Sequence, residues 1–289
     1  MICIYHSRDL DGWMSAAIVK LKFPNVELIG WDYGQPVPDM AFKEVILVDL
    51  TLPTMFMVDN ANRITWIDHH FSAIKQMSEL DPLPFFHGLR NDKFAACELT
   101  WQFFFPDEQM PEIVRLLGRY DCFGHKGTDE EQLVLEFQYG ARAAISNADD
   151  AYKKLSAIVN CPDPPQTTII SMILDNGRAI YKYLCTEAQQ TYAKRFEVKF
   201  EEYRVAMVNQ ERFNPINFGI DYHKDGYDVF GCFWYANQRW YFSLYNDNGK
   251  VDVSEICKAE GGGGHKGASG FTKTDNNWLF QHNTKWLWK

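Results

Sequence analysis

The chain has 289 residues, enough for one or two domains, and its 46% hydrophobic and 15% aromatic content can fill a substantial core. A formal charge of −9 leaves no basic footprint for long duplex DNA, and no apolar run reaches the roughly 18 residues of a membrane span. Seven scattered cysteines without a CxxC pair, and a Met1 that leads straight into a strand rather than a secretory leader, predict free thiols in a reducing cytoplasm.

In chain order, residues 1–6 read as a strand and Asp11–Phe23 as a helix after a tight turn. Val26–Trp31 and Glu44–Asp49 are the next strands, Thr51–Asn62 carries Pro53 near a helix start, and Arg63–Asp68 is a fourth strand. Short apolar runs rich in β-branched residues, alternating with helices, predict an α/β fold on a parallel sheet. Ala95–Phe105, Pro111–Tyr120, Asp129–Ile145 and Ala148–Val159 continue as helices. Cys161-Pro162-Asp163-Pro164-Pro165 is the clearest punctuation and predicts a domain edge. One long helix is expected from Thr167 to about Val198. Beyond Val205 the runs turn β-like at 218–220, Tyr227–Phe233 and Trp240–Leu244, followed by a short helix, Val253–Ala259. The aromatic tail, Trp278–Trp288, is expected to pack back on the body.

Three of the strands end in groups that bind cations. Ile2–Tyr5 runs into His6, Asp9 and Asp11; Val45–Val48 runs into Asp49; Ile64–Ile67 runs into Asp68, His69 and His70. In an open α/β sheet the ligand crevice lies at the carboxyl ends of the strands, so these side chains would surround one crevice. Carboxylates and imidazoles without thiolates suit Mn2+, Mg2+ or Zn2+. An EF-hand is excluded, because Lys20 stands where its bidentate Glu belongs. Taken singly, Asp11 or Asp49 could instead cap a helix, and the histidines could be solvated. Repetition at three strand ends favours a two-metal site.

Near the other end, Gly261–Gly264 precede His265 and Lys266. Residues 262–267 satisfy GxGxxG, but a helix rather than a strand precedes them, which rejects a dinucleotide fingerprint. What remains is a flexible loop whose N–H groups can approach an anion, or a glycine turn without ligand.

His6-x-x-Asp9-x-Asp11-Gly12, the strand ending in Asp49, Asp68-His69-His70 and Arg119-Tyr120-Asp121 resemble, in order, the motifs of the DHH phosphoesterase family. Residues 261–270, Gly-Gly-Gly-Gly-His-Lys-Gly-Ala-Ser-Gly, resemble the GGGH-x-x-A-x-G signature of the DHH-associated type 1 domain, and Val251–Ser254 its lead-in. The resemblance spans nearly the whole chain. It implies a parallel-sheet catalytic domain over 1–160, a helical linker over 161–200 and a smaller α/β substrate-binding domain over 201–289, with the active site in the cleft between domains.

Carried over by motif, His6, Asp9 and Asp49 would hold one Mn2+, and Asp11, Asp49, His69 and Asp121 a second; Mg2+ or another divalent cation could replace it. His70 would contact the scissile phosphate or leaving oxygen, with Asp68 orienting a histidine. Gly262, Gly263, Gly264, His265 and Lys266 would hold the substrate's other end. The family's Ser-Leu-Arg-Ser is here Ser243-Leu244-Tyr245-Asn246. Arg239 or Lys266 could replace that arginine, or Tyr245 could stack on a base. The implied activity is nanoRNase-like hydrolysis of very short single-stranded RNA or linear dinucleotides, and of 3′-phosphoadenosine 5′-phosphate. Alternatives are an exopolyphosphatase-like phosphoanhydride hydrolase and a non-catalytic nucleotide-binding module. Oligomeric state is not readable.

Overall fold

A computed structural model describes residues 1–80, 86–160, 165–200, 202–211, 213–275 and 277. The punctuation at Cys161–Pro164 and the aromatic tail lie outside the described residues. The chain divides into two compact units, Met1–Ile180 and Tyr181–Lys289.

The first unit runs β1 (Ile2–His6), α1 (Leu10–Lys22), β2 (Glu27–Trp31), β3 (Val45–Val48), α2 (Thr54–Asp59), β4 (Ile64–Ile67), α3 (Phe71–Ser78), α4 (Ala96–Phe104), α5 (Glu112–Asp121), α6 (Glu131–Ala144), α7 (Ala148–Asn160) and α8 (Pro165–Ala193). Its strands form an all-parallel sheet in the order β2-β1-β3-β4. β3 is buried at every position, as a central strand covered on both faces requires. The chain steps outward from β1 to β2 and then crosses to β3 on the other side. The switch point therefore falls between the carboxyl ends of β1 and β3.

One apolar cluster lies on one side of the sheet (Ile2, Ile4, Leu47, Trp66) and another on the other (Cys3, Ile46, Val48, Ile67). That division is the period-2 alternation of each strand. The helices α1 and α4 to α8 share a third cluster around Met14, Trp101 and Phe137.

Two glycines explain how α8 accepts Gly177 in its interior. A Cβ at Gly177 would lie 1.9 Å from the Glu136 carbonyl, and one at Gly140 would lie 2.0 Å from the Ile173 carbonyl. The backbones of α6 and α8 touch there, so glycine is kept for close approach despite its low helix propensity.

The boundary between the units falls inside α8. That helix ends at Ala193, short of the expected Val198, because Phe196, Val198 and Phe200 alternate with Glu197 and Lys199 and form β5 (Phe196–Phe200). The second unit continues with β6 (Tyr203–Asn209), β7 (Val229–Ala236), β8 (Arg239–Tyr245), α9 (Val253–Ala259), β9 (Gly263–His265) and β10 (Ala268–Lys273), in one mixed sheet ordered β5-β6-β7-β8-β10-β9. The expected strand at 218–220 is instead the end of a 3-10 turn, Pro215–Phe218, closed by Gly219 at φ 73°. Phe213, Ile220 and Tyr222 there join a buried cluster with Phe230, so the run is apolar for packing without pairing.

Replacing Gly177 with Ala should destabilise the protein by about 1–3 kcal/mol, the usual cost of overpacking, against the roughly 1 kcal/mol that alanine adds to an unconstrained helix. A denaturant midpoint that rises instead would show that the helices do not touch there.

Candidate metal centre

Three sheet ends and three helix ends build the site. His6 is the last residue of β1, Asp49 follows β3, and Asp68, His69 and His70 follow β4. Asp9 caps α1, accepting from the Gly12 amide at 3.0 Å. Gly12 is glycine because a Cβ there would lie 2.0 Å from the His6 carbonyl, so α1 can start only by lying against the end of β1. Asp11, buried in the first turn of α1, accepts from the amides of Ala96 (2.9 Å) and Cys97 (2.7 Å). Its carboxylate thus satisfies two of the unpaired donors that every helix presents at its N-terminus, here those of α4. Asp121 ends α5. Asp49 is only 2% exposed and has φ 60°, a left-handed backbone that costs a non-glycine residue energy and is found where the surroundings enforce it.

These residues converge into three groups whose nitrogen and oxygen atoms lie within 4.8 Å of one another: His6, Asp9 and Asp49; Asp11, His69 and Asp121; and Asp49, His69 and His70. His6 Nδ1 is 2.9 Å from Asp9 Oδ2 and 3.5 Å from Asp49 Oδ2. His69 Nε2 is 3.3 Å from both Asp49 Oδ1 and Asp121 Oδ2, and 3.6 Å from Asp11 Oδ2. The two oxygens of Asp49 thus face two different groups.

No protein-family model matches the chain. It is similar to the uncharacterized protein R106 of Acanthamoeba polyphaga mimivirus, 23% identical over 287 residues. That alignment covers 92% of this chain and 57% of the viral protein, so the chain spans little more than half the length of that relative. Among solved structures it is similar to the DHH domain of a member of a family of ribosomal proteins, at 15% identity and TM-score 0.53, over 97% of this chain and 84% of that one. The chain has the DHH-domain fold. The pGpG-specific phosphodiesterase PggH from Vibrio cholerae (13% identity, 94% of this chain and 92% of that one, TM-score 0.49) and RecJ from Thermus thermophilus in complex with Mg2+ (13%, 97% and 48%, TM-score 0.44) are more distant likenesses.

In this DHH-fold chain the electrostatics test whether a cation fits. Burial raises the Asp11 pKa and the charge of Asp49 adds to it, reaching about 7 despite the opposing pull of His69. Asp121 is pushed to about 7 by desolvation of its carboxylate and by Asp11, a push that the solvent reaching a third of its side chain (32%) moderates. Asp49 is raised by burial and by Asp9. Burial alone would lower the histidines, but Asp49 and Asp9 lift His6, and Asp49, Asp11 and Asp121 lift His69, each to about 10. Like charges are therefore held together at a cost that protons offset. Two buried atoms, His6 Nδ1 and Asp49 Oδ2, face each other without hydrogen-bond geometry. Orphaned donor atoms of this hard, mixed O/N type fit a divalent cation.

Asp68, fully buried, organises the turn instead of facing the cluster. It accepts from Thr51 Oγ1 (2.8 Å), Trp66 Nε1 (3.2 Å), the amides of His69 (2.8 Å) and His70 (3.2 Å), and His70 Nδ1 (2.7 Å). Burial works against its charge, but His70 outweighs it and keeps Asp68 below the usual carboxylate range.

Sequence reasoning missed a fourth strand end. β2 runs into Asp32 and Tyr33: Asp32 Oδ1 lies 3.7 Å from His6 Nε2, and Tyr33 Oη accepts from the Thr51 amide at 3.3 Å. The signal was the same one, an apolar strand ending in a carboxylate.

In the second unit the structure redistributes the expected residues. Gly261 and Gly262 donate their amides to the Lys258 and Cys257 carbonyls, closing α9, so those two N–H groups are not turned to an anion. Gly263, Gly264 and His265 pair with Gly270, Ser269 and Ala268 as a β-hairpin rather than a loose loop. A Cβ at Gly262 would meet the Gly270 carbonyl at 2.1 Å, so packing explains that glycine. Lys266 stands in the hairpin turn, its carbonyl accepting from Val253. Asp252 of the lead-in caps α9 through Ser254. Tyr245, one of the alternatives to the family's arginine, is half-buried and packs against the cluster of Tyr222 and Phe230. Arg239 begins β8 and Tyr245 ends it, six residues and about 20 Å apart. Arg239 therefore does not stand in beside Tyr245.

Bound cations require deprotonated ligands. His6 and His69 shed protons only toward pH 10, and Asp11 and Asp121 only above about pH 7. Both sets shift the same way: Mn2+ affinity should rise with pH from 6 to 8.5, with protons released on binding. Titration calorimetry in buffers of different ionisation enthalpy measures both, and a pH-independent affinity with no proton release would refute this assignment.

Proposed function

We propose that this chain is a divalent-metal-dependent phosphoesterase that hydrolyses very short RNA or linear dinucleotides. The observation that carries the proposal is Asp49, whose two oxygens face separate groups of hard ligands at the sheet's switch point. His6, Asp9 and Asp49 would hold one Mn2+, and Asp11, Asp49, His69 and Asp121 a second. Such a pair would polarise a water for attack at neutral pH and neutralise charge gathering on the phosphorus oxygens.

The chain's own residues supply orientation. Asp68 accepts a hydrogen bond from His70 Nδ1, which fixes the ring and makes Nε2 the nitrogen that would meet the substrate. The same contact outweighs burial and raises the His70 pKa, favouring a ring that can donate to a phosphoryl or leaving oxygen. Asp68 acts through this positioning. In the second unit, His265 and Lys266 remain the groups proposed to bind substrate anion, with 201–289 as the substrate-binding domain and 161–200 as the linker. The described residues contain no helix long and apolar enough to cross a membrane.

The decisive experiment is hydrolysis in Mn2+ of RNA from two to about twenty nucleotides, linear diadenylate and diguanylate, 3′-phosphoadenosine 5′-phosphate and short polyphosphate. Rates should peak on dinucleotides and fall with length. Cleavage of phosphoanhydrides alone would overturn the substrate assignment while keeping the metal centre, and Mn2+ binding without turnover would indicate a nucleotide-binding module.

Asp49→Asn should cut hydrolysis more than roughly 100-fold, beyond the loss typical of an outer partner of a metal ligand. Asn tolerates the left-handed backbone at φ 60°, so circular dichroism should be unchanged. Retained activity would exclude Asp49 as a shared ligand.

A further inference from the structure

The fourth strand end holds a cation that neither the metal groups nor the motifs use. Arg8 lies between His6 and Asp9, and its side chain is 69% exposed. Its Nε donates to Asp32 Oδ2 at 2.5 Å, while Asp32 Oδ1 accepts from the Tyr33 amide at 2.8 Å and faces His6 Nε2 at 3.7 Å. The backbone beneath is clamped: the Ser7 amide donates to the Trp31 carbonyl at 3.1 Å, and the Ser7 carbonyl accepts from Trp13 Nε1 at 3.0 Å. The guanidinium is thus anchored by one nitrogen at the rim of the acidic cluster. Its terminal pair, Nη1 and Nη2, makes no hydrogen bond among the described residues.

A guanidinium cannot ligate a cation, and a fork held by its Nε presents two parallel donors, the geometry that suits a phosphate. Arg90, by contrast, is consumed by the carbonyls of Trp66, His87 and Phe86. Asp32 and the His6 ring link Arg8 to Asp49 through contacts of 3.7 Å (Asp32 Oδ1–His6 Nε2) and 3.5 Å (His6 Nδ1–Asp49 Oδ2), which places the guanidinium two side chains out from Asp49 along this chain of contacts. From there the fork addresses the phosphate next to one held among Asp49, His69 and His70. Resting on the phosphoesterase reading above, we propose that Arg8, positioned by Asp32, binds a second, non-scissile phosphate of the substrate and makes the enzyme prefer dinucleotides bearing a terminal phosphate.

The test compares pApA with ApA in Mn2+ for the wild type, Arg8→Ala, Arg8→Lys and Asp32→Asn. The wild type should favour pApA roughly 10–100-fold in KM, as expected for a charge-assisted bidentate contact. Arg8→Ala should bring that ratio to about 1, Arg8→Lys and Asp32→Asn should give intermediate ratios, and the gain in melting temperature on adding Mn2+ should persist in all three. Equal losses on both dinucleotides, or an unchanged ratio, would overturn the assignment.

The same comparison read as equilibrium binding of phosphorothioate-linked pApA and ApA separates this inference from the reading it rests on. A wild type that cuts neither dinucleotide refutes the phosphoesterase. A binding preference that Arg8→Ala abolishes still supports the Arg8 subsite, and one that it leaves intact refutes it.

Discussion

A carboxylate held out of water between two imidazoles is the constraint on which the first unit turns. Asp49 has little solvent, an unfavourable backbone conformation and three neighbouring aspartates, Asp9, Asp11 and Asp121, that add to the local negative charge. An arrangement of this kind persists only where its surroundings over-determine it. The Asp49 amide is tied to the Ile67 carbonyl, His6 and His69 flank its two oxygens, and the parallel sheet sets the spacing of the strands that deliver them.

The rest of the unit manages that charge. Asp11 is tolerated in the interior because α4 offers it two amides from its first turn, so the helix is capped by a residue 85 positions earlier in the chain. Asp68 is tolerated because five donors surround it, and in return it holds the Asp68–His70 turn in one shape. Carboxylates that look alike in sequence therefore do opposite things: Asp68 is stabilised as an anion by its neighbours, whereas burial and neighbouring carboxylates push Asp11 and Asp121 up to about 7.

Much of the first unit was legible because its strands are short, apolar and end abruptly in polar groups. His6, Asp49 and His69 are brought together as neighbouring strand ends of a parallel sheet, and Asp9 and Asp11 at the start of α1 and Asp121 at the end of α5 join them from the helices. Asp32 carried the same signal and was passed over, since its strand is half-exposed and its carboxylate is not followed by a histidine or glycine motif. The second unit was harder to read. Phe196–Phe200 looked like the end of a helix because its alternation covers only five residues, and 218–220 looked like a strand because apolar residues pack equally well without pairing.

The sequence by itself determined which chemistry is available: hard oxygen and imidazole donors, placed where strands stop, in a chain too acidic to hold a long polyanion by its surface. Tertiary structure decided how each donor is used. Whether an aspartate caps a helix, braces a turn or faces a cation depends on which amides and imidazoles stand within about 3 Å of it, the range of a hydrogen bond. For Asp11 those partners lie far along the chain, so local pattern cannot specify them. The glycine run makes the same point: its first two amides, those of Gly261 and Gly262, close α9, and Gly263–His265 form an edge strand paired with β10.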